Sequence, residues 1–139
     1  MAIKRLNSYY QNRHSCFLLK YHLVLTTSGG DSVFTSELKD YLNEFVASMM
    51  SKNECFLTEI RYDDSCVHIL FDAPITLNLP NFVNGMKSTS SRMLRRKFNK
   101  YVNQFVGEIG FWRQSYFLIT QSENSDNIVS EYKKLTVGE

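Results

Sequence analysis

Hydrophobic and polar positions follow two periods along this chain, and the switches between them mark its elements. Residues 16–27 run Cys-Phe-Leu-Leu-Lys-Tyr-His-Leu-Val-Leu-Thr-Thr and stop at Gly29-Gly30, which predicts a long central strand. From Thr35 or Ser36 onward the spacing changes to three and four. Leu38, Tyr41, Leu42, Phe45, Val46, Met49 and Met50 form one apolar helical stripe, with Ser36 as the expected cap and Glu37 in the first turn. Residues 55–62 and 66–71 then read as two short strands. Asp63-Asp64-Ser65 between them favours a tight turn, so the pair is a β-hairpin.

A second helical stripe begins at Asn78, a suitable cap, with Pro80 tolerated in the first turn. Leu79, Phe82, Val83, Met86, Met93 and Leu94 make its apolar face, and at about 100° per residue Arg92, Arg95 and Arg96 point the other way. Residues 116–120 read as a fourth strand. Ser125 or Asp126 then caps a last helix carrying Ile128, Val129, Tyr132 and Leu135. The order βαββαβ plus a helix is that of a ferredoxin-like α+β sandwich, an antiparallel sheet with helices on one face.

Composition bounds the picture. The chain has 139 residues, 43% hydrophobic and 14% aromatic, enough for one domain with a core at about residues 14–136 and too few for two of ordinary size. No apolar run approaches the roughly 20 residues of a membrane span. The N-terminus has charge but no apolar signal region, so the cytoplasm is the expected location and a membrane is not an expected partner. Cys16, Cys55 and Cys66 include no Cys-x-x-Cys, which supports neither a disulfide framework nor a zinc ribbon.

Charge is unevenly distributed. Residues 73–107 hold six basic side chains (Lys87, Arg92, Arg95, Arg96, Lys97, Lys100) and no acidic one, leaving 10 basic against 14 acidic elsewhere. A mildly acidic protein with one basic segment has the footprint of a polyanion contact, which makes nucleic acid the leading partner class; the bland alternative is a solvated helix face. The fold also hosts RNA-recognition modules. Their base-stacking pattern of basic, glycine and aromatic residues is absent from Cys66-Val67-His68-Ile69-Leu70-Phe71, where it should lie.

That strand resembles something else. Residues 62–71, Tyr-Asp-Asp-Ser-Cys-Val-His-Ile-Leu-Phe, with Lys20-Tyr21-His22-Leu23-Val24-Leu25 upstream, are similar to the IS200/IS605-type transposases, the single-tyrosine HUH endonucleases. Three later blocks continue the resemblance in order: residues 79–87 with the Ser- and Arg-rich turns after them, residues 111–117, and Ser122-Glu123-Asn124-Ser125 leading to Tyr132.

The resemblance implies transposition of single-stranded DNA, in which a tyrosine attacks a DNA phosphate to leave a 5′-phosphotyrosine link with the help of a divalent metal. Tyr132 matches the tyrosine. Family members are prokaryotic, act as homodimers and recognise DNA hairpins at element ends. Lys87, Arg92, Arg95, Arg96 and Lys100 would then contact hairpin phosphates, whereas Lys97 lies near the apolar stripe and is left out. The aromatic residues Phe111, Trp112, Tyr116 and Phe117 are read as core rather than as base-stacking groups.

The metal motif departs from the family. His-hydrophobic-His on one strand puts residues i and i+2 on the same face, able to close on one ion. Here the triplet is Cys66-Val67-His68, the preceding Asp is Ser65, and the ligand position four after the tyrosine is Thr136. Mg²⁺ or Mn²⁺ is the ion the family implies, and a Cys66 thiolate would suit Zn²⁺ better. Three readings stay open: a working transposase with a remodelled site, a hairpin binder that no longer cleaves, or a site rebuilt from Asp63, Asp64 or Asp72. His14 and His22 bracket the first strand and are read as structural.

Overall fold

The elements follow the predicted order, with additions before and within it. The structure, a computed structural model, describes residues 4–6, 9–11, 16–30, 33–106, 110–122 and 124–135. Three short strands, β1 (Lys4–Leu6), β2 (Tyr9–Gln11) and β3 (Cys16–Phe17), form an antiparallel sheet of their own. The single strand expected over 16–27 is therefore divided. Its first two residues pair with β2, and after Leu18 the chain enters the main sheet as β4 (Leu19–Thr26).

Next come α1 (Ser36–Lys52), β5 (Phe56–Asp63), β6 (Cys66–Ala73), α2 (Leu79–Lys97), α3 (Asn99–Asn103), β7 (Phe117–Thr120) and α4 (Ser125–Leu135). The main sheet has the order β5-β6-β4-β7 with every neighbouring pair antiparallel, the arrangement of a βαββαβ ferredoxin-like sandwich. Local signals explain most boundaries. Asn78 caps α2 by accepting from the Asn81 N–H, and Pro80 sits in its first turn. The cap of α1 is Thr35 rather than Ser36, its hydroxyl accepting from the Leu38 N–H at 3.3 Å. In the β5–β6 turn Asp64 takes a φ of 51°, a left-handed conformation that Asp tolerates better than most residues.

Burial follows the two helical stripes. Leu38, Leu42, Val46 and Met50 of α1 pack with Phe82, Val83, Met86 and Leu94 of α2 against Leu23, Leu25, Val67, Ile69 and Phe71 of the sheet. Met93, expected in that face, is only half-buried. Ser90 is fully buried instead, because its hydroxyl accepts the indole N–H of Trp112 at 2.8 Å. The helix α4 covers the opposite face of the sheet. There Val129 joins Val24 and Cys66 in a second small core flanked by Phe117 and Ile119, while Ile128, assigned to the buried side by periodicity, is 38% exposed.

The Ser90–Trp112 bond generates a stability prediction. Ser90→Ala leaves a buried indole N–H without its acceptor and is expected to lower the unfolding free energy by about 1–3 kcal/mol. Ser88→Ala, at an exposed hydroxyl on the same helix, should shift it by less than about 0.5 kcal/mol. Urea denaturation of the two variants reads the difference, and equal losses would show that the indole bond contributes nothing of its own.

Candidate active site on the α4 face of the sheet

Strand register places the chemistry-bearing side chains in rows. One row crosses the sheet as Arg61, His68, Val24 and Phe117; the next is Glu59, Leu70, His22 and Ile119; on the other side lie Asp63, Cys66 and Thr26. Alternation along each strand sends the neighbours Leu23, Val67 and Ile69 into the main core and leaves these rows facing α4. β6 is buried on both faces, so it offers no platform for stacking RNA bases.

His22 and His68 are diagonal neighbours on that face. His22 Nε2 lies 2.9 Å from His68 Nδ1, and His22 Nδ1 lies 3.5 Å from the Ser125 hydroxyl at the start of α4. Both rings are buried, and burial is the largest cause pushing both pKa values down, that of His68 to about 4. Lys133, Arg61 and His22 add to the effect on His68, and among the described residues Asp63 opposes it. His22 was expected to be structural. Its partnership with His68 arises from strand register, which single residues do not reveal.

The next contact ties α4 to β5. Lys133 Nζ donates to Asp63 Oδ2 at 2.6 Å, and the same oxygen lies 3.6 Å from His68 Nε2. The hydrogen bond from Lys133 is the largest cause holding the Asp63 carboxyl below its ordinary range. Arg61 pairs with both Glu59 and Asp126, the second of these on α4. Asp64 lies exposed in the turn, and Asp72 is fully buried four residues along β6 from His68.

Tyr132 lies toward the other side of the sheet. Its ring packs on Phe117 with centroids 4.4 Å apart, and its hydroxyl donates to Ser115 Oγ at 3.4 Å. Phe117 and His68 flank Val24 in one row, so two strand spacings of about 4.8 Å separate the residue under the tyrosine from the histidine. Cys66 is a free thiol within the small core, 3.4 Å from the Thr26 hydroxyl. Thr136 and His14 lie outside the described residues.

These donors do not fit a divalent ion as arranged. Among the described residues no group of three His, Cys, Asp or Glu side chains is placed to hold one. Cys66 is turned into apolar packing and a hydroxyl contact, His68 Nδ1 is engaged by His22, and the Asp63 oxygen nearest His68 Nε2 already carries an ammonium.

The basic segment divides on folding. Arg92 and Arg96 are exposed on α2, Arg95 is half-buried there, and Lys100 belongs to α3 beyond the helix break at Phe98. Lys87 is half-buried, donating to the Gln114 carbonyl at 2.6 Å with its ammonium 5.6 Å from the Tyr116 ring. It lines a groove of about 370 Å³ with Ser88, Ser91, Arg113 and Gln114. Arg113 was missed because it lies beyond the basic segment in sequence. Lys97, left out of the contact set, is exposed with its ammonium 5.4 Å over the Tyr41 ring. No helix among the described residues is long and apolar enough to cross a membrane.

Comparison with known proteins places these features in a family. The family model described as "Transposase IS200 like" matches residues 15–134. The ISDra2 transposase TnpA of Deinococcus radiodurans is 24% identical over 122 residues, covering 88% of this chain and 86% of the relative. A solved structure described as a transposase from the same organism superposes with a TM-score of 0.79 at 25% identity, covering 90% of this chain and 95% of that one. Transposases of this kind are generally metal-dependent, which sharpens the contrast with the donors described above.

The buried histidines set a pH dependence. A folded-state pKa of about 4 for His68, against 6.5 for the free side chain, means that the unfolded chain takes up the proton first as pH falls. Stability is therefore full above about pH 6.5 and declines toward pH 4, by up to about 3 kcal/mol for this one group, with His22 acting in the same direction. Denaturant unfolding at intervals across this window should show the decline, and His68→Gln should flatten it. An equally steep decline in the variant would assign it to other groups.

Proposed function

The chain belongs to the IS200-like transposase family, and on that premise we propose that it binds DNA hairpins at element ends and cleaves and rejoins single-stranded DNA through Tyr132. The phenol oxygen forms a bond to a backbone phosphorus while the bond from that phosphorus to the 3′-oxygen breaks. The 3′-oxygen departs as a hydroxyl, the phenol proton passes to a base, and the 5′-phosphate stays on the tyrosine. Rejoining is the reverse attack by a new 3′-hydroxyl. A tyrosine suits this role because the phenol is weakly nucleophilic until deprotonated, yet is an adequate leaving group for the return step.

One observation carries the reading. In the segment leading into β7, the Gln114 carbonyl and the Tyr116 ring contact Lys87 of the basic helix, while Ser115 and Phe117 contact Tyr132 of α4. The basic groove and the tyrosine are thus two sides of one stretch of chain at an edge of the sheet. A strand held by phosphate contacts at Lys87, Arg92, Arg95, Arg96 and Lys100 needs only to pass round β7 to reach Tyr132. The sheet also leaves β5 and β7 as edges, with Phe56 half-exposed on β5, which supports a homodimer.

A second reading, a hairpin binder that does not cleave, is favoured by the Cys66 thiol, which is turned away from any ligand role. The tyrosine separates the two. Incubated with labelled single-stranded DNA from the flanks of its own gene, the protein is expected to form a covalent adduct that survives a denaturing gel and disappears in Tyr132→Phe, with hairpin affinity unchanged. Hairpin binding with no adduct under any ion condition would establish the second reading.

The phosphate contacts are tested independently. Arg92→Ala and Arg96→Ala should each weaken hairpin binding and reduce the slope of log K against log salt by about 1, whereas Lys97→Ala should leave both nearly unchanged. A filter-binding salt series gives the slopes, and equal effects at all three positions would refute the assignment of a contact face.

A further inference from the structure

The face on which no three-donor group lies among the described residues nevertheless carries positive charge of its own. The Asp63 oxygen nearest His68 Nε2 accepts a 2.6 Å hydrogen bond from Lys133, which directly follows Tyr132 on α4. His68 Nε2 is buried and has no hydrogen-bond partner among the described residues, and the carboxylate oxygen that the ammonium occupies lies 3.6 Å from it. Arg61, in the row of His68 and paired with Asp126 of α4, brings a second cation to the same face. A divalent ion bridging His68 and Asp63 would have to share the carboxylate with Lys133 and sit beside Arg61, and like charges at that range repel.

We propose that Lys133 is the resident cation of this site, its ammonium occupying the Asp63 oxygen that a divalent metal ion shared with His68 would otherwise need. Positive charge at the candidate centre is then built into the protein, on the residue that follows Tyr132 in α4. This rests on the transposase reading for its purpose, a charge offered to a DNA phosphate. The competition between ammonium and metal stands apart from it and is measured without DNA.

The test titrates Co²⁺ into the full chain and follows binding by calorimetry and by the ligand-field absorption of the bound ion. Wild type and Lys133→Arg, which keeps the charge, are expected to bind weakly. Lys133→Met should bind about tenfold tighter or more, and the gain should vanish when His68→Gln is added. Lys133→Gln, which keeps a hydrogen-bond donor for Asp63 and so holds α4 in place, is expected to gain as well and guards against loss of the helix in the Met variant. Wild-type binding as tight as that of the two neutral variants, or no gain in either, would overturn the proposal. The adduct assay run in parallel judges the tyrosine reading by itself: absence of any adduct beside a clear gain in Co²⁺ affinity would defeat that reading and leave the resident cation standing.

Discussion

The burial of β6 on both faces is the constraint on which the rest of the structure depends. Toward α1 and α2 it presents Val67, Ile69 and Phe71, which need nothing but apolar contact. Toward α4 the same alternation presents Cys66 and His68, which lose water and must be compensated within the protein. His22 and Thr26 of β4 supply the partners for His68 Nδ1 and the Cys66 thiol, and Asp63 of β5 comes within 3.6 Å of His68 Nε2. The polar arrangement is therefore a consequence of covering both faces of the sheet, and α4 cannot be lifted away without exposing Val129 and returning both imidazoles to water.

Electrostatics on this face is organised by what covers it. Lys133 and Arg61 both reach across the α4–β5 boundary, one to Asp63 and one bonded to Asp126, so each ion pair joins sheet to helix. Exposed pairs of this kind contribute little to stability singly, and Asp63 and Asp126 are both substantially exposed. Their weight is geometric. They fix the rotation of α4 so that Val129 faces inward, Lys133 faces β5 and Tyr132 faces β7.

Much of this was legible from the sequence, for reasons specific to each element. The stripes of α1 and α2 were readable because each has a solvent side that breaks the apolar pattern, and the hairpin because Asp63-Asp64-Ser65 marks its turn. The break at Leu18 was not readable, since apolar residues continue through it and the division comes from pairing with β2. Tyr132 and His68 could be singled out by the resemblance. Their partners could not: His22 lies 46 residues from His68 and Lys133 lies 70 from Asp63, and only the register of the folded sheet brings either pair together. Arg113 and Ser90 were hidden for a related reason, because the first lines a groove closed by another element and the second has its hydroxyl satisfied by Trp112.

The segment before β7 shows how one strand can serve two surfaces. In extended chain, successive side chains point to opposite sides, so a contact made at Tyr116 is registered at Phe117 on the other face. Lys87 holds the first side through its bond to the Gln114 carbonyl and its position over Tyr116; Tyr132 holds the second through Ser115 and Phe117. The contacts on the two sides fall within the four residues from Gln114 to Phe117, so the helix that carries Lys87 and the helix that carries Tyr132 are fastened to opposite sides of one short extended segment.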